Sequence, residues 1–220
     1  MPPERAREAF GYVTEMKNYK SDKKAPAAQQ PGAMDQEVAR AVEVLRRGGI
    51  ILYPTDTVWG LGCDATDPEA VAKIYRLKQS ENKKSMLVLC ASADMVVRYV
   101  DRAPGIAFEV MELASKPLTL ILPGAVGVAD NLVPDEGTLG VRVPDHEFCR
   151  RLLRALGRPL VSTSANISGE CAPVGLPEVA REIVDGVDFV VNPRFEGKPT
   201  RKASSIIAFG EGGEVKIIRE

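Results

Sequence analysis

The sequence predicts an α/β fold, a single domain whose mixed parallel and antiparallel sheet is flanked by helices. Two observations predict it. Segments with helical spacing alternate with short apolar runs from Asp35 onward. Strand-like runs also follow one another directly on either side of residues 123–138, and Gly210-Glu211-Gly212-Gly213 joins the last two as a hairpin, which argues against an all-parallel sheet.

The elements follow in order. Val38, Ala41, Val42 and Leu45 recur at helical spacing, and Gly48 stops that helix. Ile50-Ile51-Leu52 is short, continuous and β-branched, as a strand buried on both faces is, and Pro54 ends it. Asp67-Pro68 is a cap followed by proline at the first helical position, opening a helix through Val71, Ile74 and Tyr75 to about Lys78. Met86–Cys90 reads as a strand. Ser92 and Pro104 open helices whose apolar faces include Val96, Ile106, Val110 and Leu113. Strands follow at 118–122 and 139–143, and Asp145 caps a helix carrying Phe148, Leu152, Leu153 and Leu156 that stops at Gly157. A strand at 159–163, a helix near 177–185 and strands at 189–191, 205–208 and 215–218 complete the chain.

Residues 1–33 stand apart as an N-terminal extension, because Lys20, Lys23 and Lys24 lead into Ala25-Pro26-Ala27-Ala28-Gln29-Gln30-Pro31-Gly32, a linker composition. Glu4–Met16 is compatible with a short helix and is assigned no chemistry. Residues 34–220 then form the domain. Of the 220 residues, 45% are apolar and 27% charged, which is ordinary for a globular chain. No apolar run approaches the roughly 20 residues that span a bilayer, and the N-terminus lacks the apolar centre of a secretory signal, so the expected location is the cytoplasm, away from membranes. A net charge of −1 gives no global pull toward nucleic acid. Cys63, Cys90, Cys149 and Cys171 fit no short-spaced zinc pattern and read as reduced thiols, most of them packing residues; no protein metal site is expected. Neither a Walker pattern nor Gly-x-Gly-x-x-Gly is present.

Two stretches carry chemistry. Tyr53-Pro54-Thr55-Asp56-Thr57-Val58-Trp59-Gly60-Leu61-Gly62-Cys63-Asp64 leaves a strand for a hydroxyl-rich loop, whose Gly60 and Gly62 are expected to let the backbone approach a ligand closely. Ser162-Thr163-Ser164-Ala165-Asn166-Ile167-Ser168 repeats the design. Small hydroxyls and an amide make a poor core and a good hydrogen-bonding wall. Lys73, Arg76, Lys78, Lys83 and Lys84 face only Glu81 in one window, which is either a solvated helix end or an anion site. Arg142 lies among valines on a strand, where an arginine is rarely left unpaired; it is either half of an ion pair or a ligand-side cation. Tyr53 and Trp59 read as core or cleft wall. His146 falls in a first helical turn and is given no catalytic role.

These stretches, with Leu77-Lys78, Lys116-Pro117-Leu118-Thr119-Leu120, Gly140-Val141-Arg142-Val143-Pro144-Asp145-His146 and Ala203-Ser204-Ser205-Ile206-Ile207, resemble the YrdC-like family of threonylcarbamoyl-AMP synthases in order and spacing, from about Val38 to about Ile218. The resemblance implies a twisted open α/β fold, concave on one side, in the short form of the family. It also implies a reaction of L-threonine, bicarbonate and ATP with Mg²⁺, giving threonylcarbamoyl-adenylate and pyrophosphate for tRNA modification, without a prosthetic group or a covalent protein nucleophile. Expected partners are other tRNA-modification proteins, with tRNA itself contacted indirectly.

By the same resemblance, Lys78, Thr119, Ser164 and Asn166 fall to ATP, with Arg201 and Ser204 near its phosphates; Thr55, Thr57, Arg142 and Ser162 fall to threonine. The family's Lys-x-Arg signature is broken here, where Lys78-Gln79-Ser80 offers serine for arginine, so Lys83 or Lys84 is expected to supply the second charge. The competing reading is a double-stranded RNA-binding or ribosome-assembly factor without catalysis, drawing on the basic window and the concave face.

Overall fold

The computed structural model describes residues 32–80 and 86–220. The extension expected over residues 1–33 lies, up to Pro31, outside the described residues, and so do Lys83 and Lys84. In chain order the elements are α1 (Ala33–Arg46), β1 (Ile51–Tyr53), β2 (Gly60–Gly62), α2 (Pro68–Leu77), β3 (Leu87–Leu89), α3 (Ala93–Val96), α4 (Gly105–Leu113), β4 (Leu118–Pro123), β5 (Thr138–Arg142), α5 (Glu147–Leu156), β6 (Leu160–Ser164), α6 (Arg181–Gly186), β7 (Phe189–Val190), β8 (Ser205–Phe209) and β9 (Val215–Arg219). They build one α/β domain on a nine-stranded sheet ordered β7-β1-β2-β6-β3-β5-β4-β8-β9. Strands β1/β7, β3/β5 and β4/β8 run parallel and the other neighbours antiparallel, so the sheet is mixed as expected.

Local chemistry explains most boundaries. Asp67 caps α2, its carboxylate accepting from the Glu69 and Ala70 N–H groups. Gly157 ends α5 at φ 73°. Two boundaries differ from the sequence reading. The N-cap of α5 is His146, because the Asp145 carboxylate is drawn to Arg150 at 2.6 Å instead of to the helix N–H groups. The single helix expected near 177–185 is a 3₁₀ turn at Leu176–Glu178 followed by α6, split where Val179 and Ala180 take extended backbone.

Pleat alternation sorts the sheet into two faces. One carries Leu52, Leu61, Val88, Leu120, Leu122, Val141 and Val161 into the larger core, with Ala70, Val71 and Ile74 of α2 and Ile183 of α6 packed on it. On the other, α1 and α5 lay Val38, Leu45, Phe148, Leu152 and Leu156 over Ile51, Tyr53, Leu89 and Leu160. That second cover stops short. Along β6, Leu160 lies beneath α5, whereas Ser162 and Ser164, two and four residues on and on the same face, line a cavity instead. Thr119 and Ile121 of β4, Thr138 and Gly140 of β5 and Ile206 of β8 line the cavity beside it. The cleft is therefore the uncovered remainder of the α1/α5 face.

Gly60 and Gly62 form a strand, where the sequence suggested a loop approaching a ligand. The close approach of Gly62 is internal, whereas Gly60 also lines the smaller cleft cavity. A Cβ at Gly62 would come within 2.8 Å of the Tyr53 ring and 2.9 Å of the Val161 carbonyl. Gly60 pairs with Tyr53 on one side and Ser164 on the other, so a glycine strand zips the two hydroxyl-rich segments together. Gly62→Ala is accordingly expected to destabilise the domain by about 1–3 kcal/mol through overpacking. Urea unfolding measures it; an unchanged midpoint would contradict the packing.

Candidate active site

The six-residue link from Tyr53 to Gly60 is pinned by its own hydroxyls. Thr55 Oγ1 donates to the Val58 carbonyl at 2.8 Å and accepts the Thr57 N–H at 3.0 Å, and the two threonine oxygens lie 2.8 Å apart. Tyr53, fully buried, donates its hydroxyl to Ser162 Oγ at 2.7 Å and so ties the link to β6. Arg142, at the end of β5, donates from Nη1 to Thr57 Oγ1 at 3.0 Å and sets Nη2 3.3 Å from Asp56 Oδ1. Thr55, Thr57, Arg142, Ser162 and Ser164 thus share one cavity of about 150 Å³ with Val58, Gly60, Leu87, Thr163, Ala203, Ser204 and Arg219. All four residues expected at threonine are brought together, and Ser164 joins them.

A second cavity, of about 340 Å³, adjoins the first: Leu87 and Arg219 line both. Its walls are mostly aliphatic, from Met86, Ile121, Leu132, Leu139 and Ile206, with Thr119, Thr138 and Glu136 as polar points. Thr119 Oγ1 lies 2.7 Å from Ser204 Oγ, and Arg219 Nε donates to the Ser204 carbonyl at 2.8 Å, so these three residues form one unit at the junction.

The remaining expected residues lie around these cavities. Lys78 follows α2, and its ammonium donates to the Ser164 and Asn166 carbonyls, both at 2.6 Å. Asn166 accepts from the Ser164 hydroxyl and donates to the Ile167 and Glu170 carbonyls at 2.8 Å. Both side chains therefore shape the turn after β6, and Ser164 is the member of this knot that lines a cavity. Arg201 is exposed and joins the site through its backbone N–H, which donates to the Thr57 carbonyl at 2.9 Å. Tyr53 and Trp59 are core, as read from the sequence; Trp59 Nε1 donates to Glu196 at 3.0 Å. His146 Nε2 contacts the Glu196 carbonyl at 2.9 Å. Cys63, Cys90 and Cys149 are buried free thiols and Cys171 is an exposed one.

Arg219 was missed by the sequence reading, for a physical reason. Plain alternation along β9 puts Val215, Ile217 and Arg219 on one face, away from Lys216 and Ile218. The register breaks that alternation: Ile207 pairs with Ile217, but Ile206 pairs with Arg219, leaving Ile218 as an extra residue in a bulge. The bulge exchanges an isoleucine for an arginine opposite Ile206, on the cleft face. Asp56 was missed because a carboxylate in a loop has no periodicity to mark it.

Burial lowers the Lys78 pKa from 10.5 to about 8. Between those values the unfolded chain holds a proton that the folded chain has released, so the lysine's contribution to stability rises with pH across about 8 to 10.5. The stability difference between wild type and Lys78→Met should follow that slope in chemical denaturation. A difference independent of pH from 7 to 10.5 would contradict the assignment.

Comparison with known proteins adds identity to this geometry. The family model for Sua5, YciO and YrdC, described as telomere recombination, matches residues 43–220. A threonylcarbamoyl-AMP synthase of Idiomarina loihiensis is 39% identical over 158 residues, covering 70% of this chain and 85% of that protein. Among solved structures, E. coli YciO superposes with a TM-score of 0.73 at 28% identity, covering 84% of this chain and 89% of that one. P. abyssi Sua5 complexed with L-threonine gives a TM-score of 0.72 at 28% identity, covering 78% of this chain. The present chain spans 50% of that Sua5 chain.

Proposed function

The chain belongs to the Sua5, YciO and YrdC family, and from that premise we propose that it is a threonylcarbamoyl-AMP synthase. L-Threonine, bicarbonate and ATP are condensed to threonylcarbamoyl-adenylate, pyrophosphate and water, and the product serves threonylcarbamoylation of tRNA through other modification proteins. The observation that carries this reading is the pair of adjoining cavities with a buried arginine in the smaller and a second arginine at their junction.

Size divides the ligands. At about 150 Å³ the smaller cavity lies well below the roughly 300–1,000 Å³ of drug-sized pockets and suits an amino acid. There Arg142 takes the threonine carboxylate, with Ser162 and Thr57 as neighbouring hydroxyl partners. The larger cavity, with its aliphatic walls and its threonine hydroxyls, takes the nucleoside of magnesium-bound ATP. Thr119, Ser204 and Arg219 then flank the phosphate chain, and the Ser164 turn, braced by Lys78 and Asn166, closes its other side.

The chemistry needs positioning more than a nucleophile. The threonine amine and bicarbonate form a carbamate with loss of water; a carbamate oxygen then bonds to the α-phosphorus as the bond to the pyrophosphate oxygen breaks. Both substrates held against one junction make the attack effectively intramolecular, and Arg219 there meets the charge of the transferring group.

Release of pyrophosphate from ATP should require both threonine and bicarbonate, and its absence with all substrates and magnesium present would refute the reading. Arg219→Ala should raise the KM for ATP by about 10- to 100-fold, the scale of one lost charged hydrogen bond. Threonine affinity, measured by calorimetry, should change by less than about threefold in that variant, since another arginine holds the carboxylate. Salt-sensitive RNA binding that ATP and threonine fail to displace would favour the RNA-binding alternative.

A further inference from the structure

The two threonine hydroxyls cannot both face a ligand. Thr55 spends its one hydroxyl proton on the Val58 carbonyl, so the proton between the two side chains, whose oxygens lie 2.8 Å apart, belongs to Thr57. Thr57 in turn accepts from Arg142 Nη1. Hydrogen bonds therefore run one way, from Arg142 through Thr57 and Thr55 to the Val58 carbonyl. Thr55 also accepts the Thr57 N–H, which fills its lone pairs, whereas Thr57 keeps one for a ligand. Thr55 is a brace, and Thr57 is the contact.

Asp56, between them in sequence, points away from this chain and meets the other edge of the same guanidinium. Its Oδ1 lies 3.3 Å from Arg142 Nη2, and the two side chains are only 9% and 4% exposed. The carboxylate is itself held in place. Oδ2 accepts the Asp145 N–H at 3.3 Å, and the Asp56 carbonyl accepts the Thr200 N–H at 2.8 Å. Asp56 lines the cavities behind the link, with Asp145 and Lys198, whereas Arg142 lines the small cleft cavity. The contact with Nη2 is an ion pair whose geometry falls short of a hydrogen bond, since Oδ1 makes none. A buried guanidinium is thus gripped by a neutral hydroxyl chain on one nitrogen and a full negative charge on the other.

We infer that Asp56 is a positioning residue: held on the far side of the link, it fixes the guanidinium plane of Arg142 and compensates its charge, so that the donors left over meet the substrate carboxylate in one orientation. This rests on the threonine-binding reading given above. One of the five Arg142 donors is engaged by Thr57, Asp56 holds Nη2 through charge alone, and a planar fork is selective for a carboxylate only when its plane cannot turn. Asp56 touches no substrate in this account and acts entirely through Arg142.

The test is a double-mutant cycle in threonine binding on the full chain, by calorimetry with L-threonine, in the presence and absence of magnesium-ATP. Asp56→Asn keeps the side chain's volume and should weaken threonine binding at least about tenfold, as follows when one partner of a buried charge pair is neutralised. ATP affinity should change by less than about threefold. Arg142→Gln should lose more, and the double variant should be no weaker than Arg142→Gln alone, because Asp56 has nothing else to act through. Losses that multiply, an equal loss of ATP affinity, or an Asp56→Asn variant that binds threonine like wild type would each overturn the inference. Should Asp56→Asn fail to fold, Arg142→Lys asks the same question with the carboxylate intact. It keeps the charge but not the fork, and should also lose at least about tenfold; wild-type affinity in it would overturn the inference. A wild-type protein that binds no threonine at all refutes the functional reading itself, an outcome distinct from wild-type binding that Asp56→Asn leaves unchanged.

Discussion

A guanidinium sealed at the end of β5 is the constraint from which the site follows. Removing a positive charge from water costs several kcal/mol, and the chain must recover that cost locally. It does so with Asp56 and Thr57, both on the link between β1 and β2, so the link can take only a conformation that presents an oxygen to each terminal nitrogen of Arg142. Thr55 then holds Thr57, and Tyr53 holds Ser162. One buried charge thereby ties the β1–β2 link to β5, beside the Tyr53 tie to β6, and leaves a fixed cation in a cavity of about 150 Å³.

The cleft exists because a helical layer ends early. Helices α1 and α5 cover one end of a sheet face, and the rest of that face interleaves serine, threonine and glycine with a few aliphatic side chains such as Ile121 and Ile206. On β6 the change is visible within one strand, from Leu160 under the helix to Ser162 and Ser164 at the cavity. Short hydroxyl side chains leave room for a ligand and supply donors and acceptors without charge repulsion. The charges sit apart from them, in Arg142 and Arg219 on separate strands, which suits a carboxylate and a phosphate chain that must meet at one junction.

Much of this was legible in the sequence. Helix and strand alternation, the Asp67-Pro68 start, the Gly157 stop and the final hairpin are local signals, and local signals survive folding. The convergence of Thr55 with Ser164 followed from two strands ending in similar hydroxyl-rich stretches. What was not legible depends on pairing. Gly60 lines the small cavity, whereas Gly62, open to the same reading because glycine permits close approach, meets the Tyr53 ring and the Val161 carbonyl instead. Asp145 has the chemistry of a cap, yet Arg150 outcompetes the helix for it. Arg219 reaches the cleft through a bulge, and a bulge is a property of two strands together.

The central claim is spatial: one small cavity, walled by Thr57, Arg142 and Ser162, receives the amino acid, and its neighbour receives the nucleotide, with Arg219 between. A crystal structure with L-threonine and a non-hydrolysable ATP analogue tests this most directly. The threonine carboxylate should lie within hydrogen-bond distance of Arg142 and the α-phosphate beside Arg219. Threonine ordered in the larger cavity, or on the Asp56 side of the link, would contradict it.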